Sequence, residues 1–290
     1  MAEGKLSVGN VYILVLTEID VDFPMPLTQL FPSVPLEAWA PYQRRYPATF
    51  PRPDIWRAHF GGFLLRSQGR TILVDTGMGS KSTNPGTVAA FTGGADGRLM
   101  AGLRAAGVRP QDVNTVFFTH LHPDHVGWNL TRRGRAIRPR FPRARYLAHR
   151  ADWEAFRTPE VQAHFPFPFW EETLGPLENL GVLDLLSGEH SLTGEITAIP
   201  TPGHTPGSMS LAIASGGQRA LIIGDVTTNA AQVTETDWVF AFDMDPALAV
   251  QSRKRMVDRA EAENAMLVAC HYHGFGRLVR LEGRRYWQGL

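Results

Sequence analysis

Cysteine is almost missing: Cys270 stands alone in 290 residues. That excludes an intrachain disulfide and any zinc motif built on several cysteines, and it fits a reducing compartment. Long hydrophobic runs are missing too. The longest early one, residues 11–16, is far short of the roughly 20 residues that span a bilayer. It has neither a basic flank nor a small-residue cleavage site, so a cytoplasmic chain with no membrane partner is expected. Charge of one sign does not accumulate, the formal net charge being +1. The most basic stretch, from Arg132 to Arg143, is broken by proline and apolar residues, so a surface that tracks nucleic-acid phosphates is not indicated. Gly-x-Ser-x-Gly is also lacking, which removes the serine nucleophile elbow.

What remains is ordinary for a globular enzyme, with 43% hydrophobic and 20% charged residues. Short apolar runs rich in β-branched residues recur between Gly and Pro at residues 11–16, 62–65, 71–74, 115–118, 146–148, 196–199, 209–214, 220–223 and 266–269, and read as strands. A helix is predicted after Asp245-Pro246, where a capping residue and a proline precede apolar positions at three-and-four spacing. Weaker helical patterns cover residues 98–106 and 151–156. With no repeat and no linker, this predicts one layered α/β domain over residues 1–290. Residues 20–57 form a Pro-rich apolar arm, read as irregular because proline removes donors. The arm carries Leu27, Leu30, Phe31, Trp39, Tyr42, Tyr46, Phe50 and Trp56, which need a cover: the core, a dimer partner or a substrate pocket. The stretch His164–Trp170 alternates proline with aromatics and reads as a pocket wall, with Phe165, Phe167 and Trp170 as candidates.

Residues 119–125 carry the chemistry. A buried strand ends in Thr119-His120-Leu121-His122, where alternation points His120 and His122 the same way. Pro123 breaks the ladder, and Asp124-His125 follow on a turn. Three imidazoles and a carboxylate thus crowd the carboxyl end of a strand, where α/β folds place their sites. A lone histidine is more often a satisfied core or surface residue. Four ligands within six positions outweigh that reading and suit Zn, Fe, Mn or Co. Further ligands are expected from His204, set between two Pro-Gly turns, from Asp225 at the end of an apolar strand, and from His271 or His273 after another.

In this order the segments resemble the metallo-β-lactamase superfamily: His120-x-His122-x-Asp124-His125, then His204, Asp225 and His271, preceded by Leu73-Val74-Asp75-Thr76-Gly77. The resemblance implies a four-layer αββα sandwich with two divalent metal ions, zinc first among them, at the sheet edge. His120, His122 and His204 would hold one ion and Asp124, His125 and His271 the other. Asp225 would bridge them together with a hydroxide, and Asp75 would hold the metal loop by hydrogen bonds. His271 is preferred to its rival His273 because it directly ends the strand. His59, His149, His164 and His190 match no motif and are taken as structural or surface residues.

Asp225 separates the chain from true β-lactamases, and His122 from flavodiiron redox enzymes, which place glutamate there. Overall it is most similar to N-acyl-homoserine lactonases, the quorum-quenching group, and to methyl-parathion-hydrolase-like proteins. The implied activity is opening of a small lactone or ester, with Asp124 and Asp225 as the catalytic carboxylates. A phosphotriesterase and a glyoxalase II-like thioesterase are the alternatives, the latter drawing on Arg277, Arg280, Arg284 and Arg285. A non-catalytic metal-binding or redox-sensing protein would instead hold one metal or leave no solvent position. Lactonases of the best-known group carry a tyrosine three residues after the bridging aspartate; here Thr228 stands there, and Tyr272 is the candidate replacement.

Overall fold

The computed structural model describes residues 4–290. β1 (Lys5–Val8), β2 (Val11–Asp22), β3 (Arg57–Ser67), β4 (Arg70–Val74) and β5 (Thr115–Phe117) open the first sheet in spatial order. A separate hairpin, β6 (Leu130–Arg133) with β7 (Ala136–Pro139), intervenes before β8 (Arg145–His149) and β9 (Leu183–Leu186) complete it. The second sheet runs in chain order through β10 (His190–Thr193), β11 (Ile196–Pro200), β12 (Met209–Ser215), β13 (Gln218–Ile222), β14 (Met266–Val268), β15 (Gly276–Leu281) and β16 (Arg284–Gly289).

Side-chain alternation makes the layers. Along β2, Ile13 and Val15 enter a core shared with Leu211 and Ile213 of the second sheet. Leu14 and Leu16 face the other way, onto Leu99, Leu103, Trp153 and Phe156 from the helices Leu99–Ala105 and Arg150–Phe156. Leu221 and Leu267 on the outer face of the second sheet pack on Met256, Val257 and Ala260 of the helix Pro246–Ala262. Asp245 caps that helix, its Oδ1 accepting from Leu248 N at 3.0 Å. The result is helix, sheet, sheet, helix, the four-layer arrangement expected. Among the described residues no helix is long and apolar enough to cross a membrane.

The N-terminal arm differs from expectation in its bounds and in its local helical turns. β2 extends to Asp22 and β3 begins at Arg57, so the arm proper is residues 23–56, and it contains short helical turns at Leu27–Leu30, Leu36–Trp39, Ala40–Arg45 and Pro47–Thr49. Proline starts several of these turns, where a missing N–H costs nothing. Its apolar side chains are also already covered. Leu27, Phe31, Trp39 and Trp56 pack with Phe60, Met78, Ala231 and Phe240 of the same chain. Of the covers the sequence left open, the chain's own core is the one that meets these side chains.

Candidate metal centre

Five chain segments arrive at one edge of the sandwich. The parallel strands β4 and β5 end at Asp75 and at the 119–125 loop; β11, β13 and β14 lead to His204, Asp225 and His271. Two positions show how tightly the loops are set. Gly203 has φ +133°, and a Cβ there would lie 2.1 Å from Ala249 N. Asp75, a non-glycine residue, holds φ +58°, a sparsely populated region. Its carboxylate keeps it there by accepting from Thr119 N and Oγ1, both at 2.8 Å, and from His125 Nδ1 at 2.9 Å.

Two groups of donors emerge. In the first, His122 Nδ1 lies 3.0 Å from both His120 Nε2 and His204 Nε2. In the second, His125 Nε2 lies 3.2 Å and His271 Nε2 3.8 Å from Asp124 Oδ2. Asp225 stands between them: Oδ2 is 3.5 Å from His204 Nε2 and 2.9 Å from His271 Nε2, while Oδ1 is 3.7 Å from His125 Nε2. All seven of the expected ligands are therefore brought together. His273 is not among them.

The donor set fits metal ions on three observations. Two ligands at about 2.1 Å from a tetrahedral ion stand about 3.4 Å apart, within the spread above. His122 Nδ1 faces two imidazole nitrogens, and one proton can serve only one such contact. Finally, His125 Nε2 and Asp225 Oδ1 are buried without a hydrogen-bond partner, which is costly unless something binds them. In the other four histidines the outward ring nitrogen, Nδ1, is engaged. His120 Nδ1 meets Thr119 Oγ1 at 3.1 Å, His125 Nδ1 meets Asp75, His204 Nδ1 meets Asp243 Oδ1 at 3.0 Å, and His271 Nδ1 meets the His59 carbonyl at 2.8 Å. These contacts fix the tautomers so that Nε2 of each faces the centre.

The electrostatics agree. Burial, reinforced by His125, holds His120 well below its ordinary value, and burial with His204 brings His122 to about 3, so both rings are neutral and ready to ligate. Burial opposes ionisation of Asp225, yet His271 and His125 hold it well below the usual carboxylate range. Asp124 is likewise brought to about 2 by His125 against burial. Asp75, Asp124 and Asp225 surround His125 and, against burial, raise it well above its ordinary value. A cation is what this concentration of negative charge lacks.

Above the centre opens a cavity of about 660 Å³. Phe23 and Trp56 of the arm, Phe91, Phe165 and Phe167, and Phe240 line it, with Asp124, Asp225 and His271 at its floor. The arm thus serves as a pocket wall as well as a cover. Phe165 and Phe167 stand where expected, but the other three pocket candidates do not. Trp170 turns away onto Trp153, ring centroids 4.7 Å apart. Thr228 is buried with its hydroxyl on Gln232 Oε1 at 3.1 Å. Tyr272 is buried against Trp287 and donates to Thr227 Oγ1 at 2.8 Å, and burial pushes its phenol far up. None of the three lines the cavity. Among the described residues no lysine or arginine lines it either. Arg280 and Arg285 pair instead with Glu261 and Asp258, and Arg284 with Glu235.

Residues that the sequence did not mark support the loops. Asp243 receives His204 and is bonded by Arg253 Nη2 at 3.2 Å; these two, against burial, hold its carboxyl below the ordinary value. Asp152, buried, accepts from Leu121 N, Thr205 Oγ1 and Gly207 N, tying the two histidine loops together. Glu18, buried, accepts from Gly79 N, Leu99 N and Trp128 Nε1. Isolated acidic residues in loops and strands give no spacing signal, although the alternation of Glu18-Ile19-Asp20-Val21-Asp22 marks β2 as longer than its apolar run. His164, matched to no motif but first in the stretch read as a pocket wall, is in the cavity lining.

Known proteins of similar sequence and shape bear on this site. N-acyl homoserine lactonase AiiA of Bacillus thuringiensis subsp. kurstaki is 25% identical over 218 residues, spanning 72% of this chain and 79% of that protein. N-acyl homoserine lactonase AttM of Rhizobium radiobacter is 27% identical over 178 residues, 58% of this chain and 62% of that one. Among solved structures, the hydrolase AbOPH superposes with a TM-score of 0.81 at 22% identity, covering 100% of this chain and 98% of its own. AidC, a dizinc quorum-quenching lactonase in complex with a product, superposes at 0.76 and 21% identity, covering 100% and 97%. At that identity the structural likeness shows the fold. The family model described as the metallo-beta-lactamase superfamily matches residues 62–271, from β3 to the last of the clustered histidines. The chain belongs to the metallo-beta-lactamase superfamily.

Proposed function

We propose that the chain, a metal-dependent hydrolase of this superfamily, holds two divalent ions and opens lactones or esters with an apolar acyl substituent. The observation that carries the reading is the junction of two surfaces: a seven-ligand His/Asp centre lies at the floor of a cavity walled by aromatic side chains. His120, His122 and His204 would hold one ion, Asp124, His125 and His271 the other, and Asp225 would reach both. Bound there, divalent ions make a nucleophile of water near neutral pH and polarise the bond under attack.

The protein's own groups do the rest. Phe91, Phe165 and Phe167 exclude water from the acyl side of the cavity and bind the chain by burying it. Asp75, Asp243 and the His59 carbonyl keep three imidazoles oriented without rearrangement. Asp124 is the more open of the two central carboxylates, its side chain 15% exposed against 4% for Asp225. It takes a proton from the attacking water and returns it to the departing alkoxide as the acyl carbon–oxygen bond breaks. Tyr272 and Thr228, being turned inward, take no part in that transfer.

A neutral lactone suits this cavity better than a glutathione thioester, because no lysine or arginine among the described residues lines it to receive carboxylates. The test is a comparison of kcat/KM for N-acyl-homoserine lactones of increasing chain length, aryl esters, paraoxon and S-lactoylglutathione. Lactones should lead by at least about tenfold, a gap of 1.4 kcal/mol, and rise with chain length. A tenfold preference for paraoxon or the thioester would overturn the assignment.

A further inference from the structure

We propose that Asp20, His59 and His273 form a peripheral divalent-cation site, separate from the central cluster, which takes a borderline ion such as Zn2+. β2 and β3 pair Asp20 directly opposite His59, so both side chains leave the same face of the sheet. His273 arrives from the turn after β14, two residues beyond His271. One donor atom from each of the three lies within 4.8 Å of the others.

The details fit an ion better than a simple hydrogen-bonded trio. His59 Nδ1 and His273 Nδ1 converge on one carboxylate oxygen, Asp20 Oδ1, at 2.9 Å and 3.5 Å. The longer distance exceeds a charge-assisted hydrogen bond, about 2.7–2.9 Å, yet it matches the spacing of about 3.4 Å between two ligands of a tetrahedral ion. His59 is buried at 4% exposure and turns its Nδ1 edge to Asp20, so packing holds one donor atom at the site in advance of any ion. Two imidazoles and a carboxylate are the donor set for zinc-like ions. Asp20 and His273 are both exposed, so water completes the coordination sphere.

Nearby cations set the affinity. Arg57 is engaged by Asp22 at 2.7 Å, and Arg98 Nε by the Glu18 carbonyl at 3.3 Å; their positive charge weakens this site relative to the central one. The position has a consequence for the centre as well. His59 supplies the carbonyl that receives His271 Nδ1, so an ion on the His59 ring restrains the strand segment that orients a central ligand.

Untagged wild-type protein, His273→Ala and Asp20→Asn are stripped of metal, dialysed to equilibrium against Zn2+ and counted by elemental analysis. Each variant should bind one equivalent fewer than wild type, while the melting temperature of the metal-free proteins stays unchanged. Because the readout is a difference and not a total, it holds whether the central cluster takes one ion or two. It stands apart from any failure of the hydrolase reading. Equal counts in wild type and both variants would overturn the site. A loss of more than one equivalent would also overturn it, by showing that these residues act on the central cluster.

Discussion

Replacing Asp243 with alanine removes one carboxylate that serves His204, Arg253 and the Phe240 N–H, and the first two losses separate. Its Oδ1 lies 3.0 Å from His204 Nδ1, and its Oδ2 accepts from Arg253 Nη2 at 3.2 Å. Without the first contact the His204 ring is free to turn and to change tautomer. Loss of such a supporting partner costs roughly 10–100-fold in metal affinity, or about 1.4–2.7 kcal/mol. Without the second, Arg253, 1% exposed, is left buried without its counter-charge. Breaking a buried pair costs about 3–5 kcal/mol. Arg253 keeps the carbonyls of Val226, Thr236 and Trp238, which places the loss near the lower end of that range. Competition with a chromophoric chelator reads the affinity, and urea denaturation of the metal-free protein reads the stability. Adding Arg253→Met to Asp243→Ala should recover part of the stability and none of the affinity. Central metal affinity within twofold of wild type in Asp243→Ala would refute the orienting role.

Three further outcomes follow from the same geometry. Phe165→Ala opens the acyl wall and should raise KM for a decanoyl lactone about tenfold while leaving a butanoyl lactone nearly unchanged, since about 1–2 kcal/mol of apolar burial is lost only for the long chain; equal effects on both in steady-state kinetics would remove Phe165 from the wall. Asp152→Ala leaves Leu121 N, Thr205 Oγ1 and Gly207 N without their acceptor and should lower stability by roughly 2–4 kcal/mol, which calorimetry would read as a Tm lower by about 3–7 °C. Burial lifts Glu18 to about 7 against the N–H groups that lower it. Its folded value therefore lies above its unfolded one, so its contribution to stability is complete below pH 4.5 and is lost as pH rises through 7. The stability difference between wild type and Glu18→Gln should accordingly shift against wild type by about 3 kcal/mol from pH 5 to pH 8, and a constant difference in denaturation free energy across that range would contradict it.

The convergence of the candidate ligands was legible because its signal is local and redundant. His120, His122, Asp124 and His125 fall within six positions at a strand end, and each remaining ligand also ends a strand or sits in a Pro-Gly turn. The sandwich was legible where strands are apolar, as in β4, β13 and β14, and not in β15 and β16, whose Arg277, Arg280, Arg284 and Arg285 conceal the alternation. Side-chain direction in loops was not legible. Thr228 follows Asp225 at the spacing of a lactonase tyrosine, yet the turn directs it onto Gln232, and Trp170 leaves the aromatic stretch for Trp153. These orientations depend on packing between distant segments, and no period in the sequence encodes it. Asp243 and Asp152 escaped notice for the same reason: their partners lie 39 and 53 residues away.

The central claim is hydrolysis at a two-metal centre, and turnover measured against metal equivalents tests it most directly. Metal-free His273→Ala protein, which leaves the peripheral site out, is titrated with Zn2+ while opening of an N-acyl-homoserine lactone is followed by proton release. Turnover should reach its maximum only at the second equivalent and should be absent when His122→Ala is titrated in the same way. Full turnover at or below one equivalent, or turnover that survives in His122→Ala, would contradict the account.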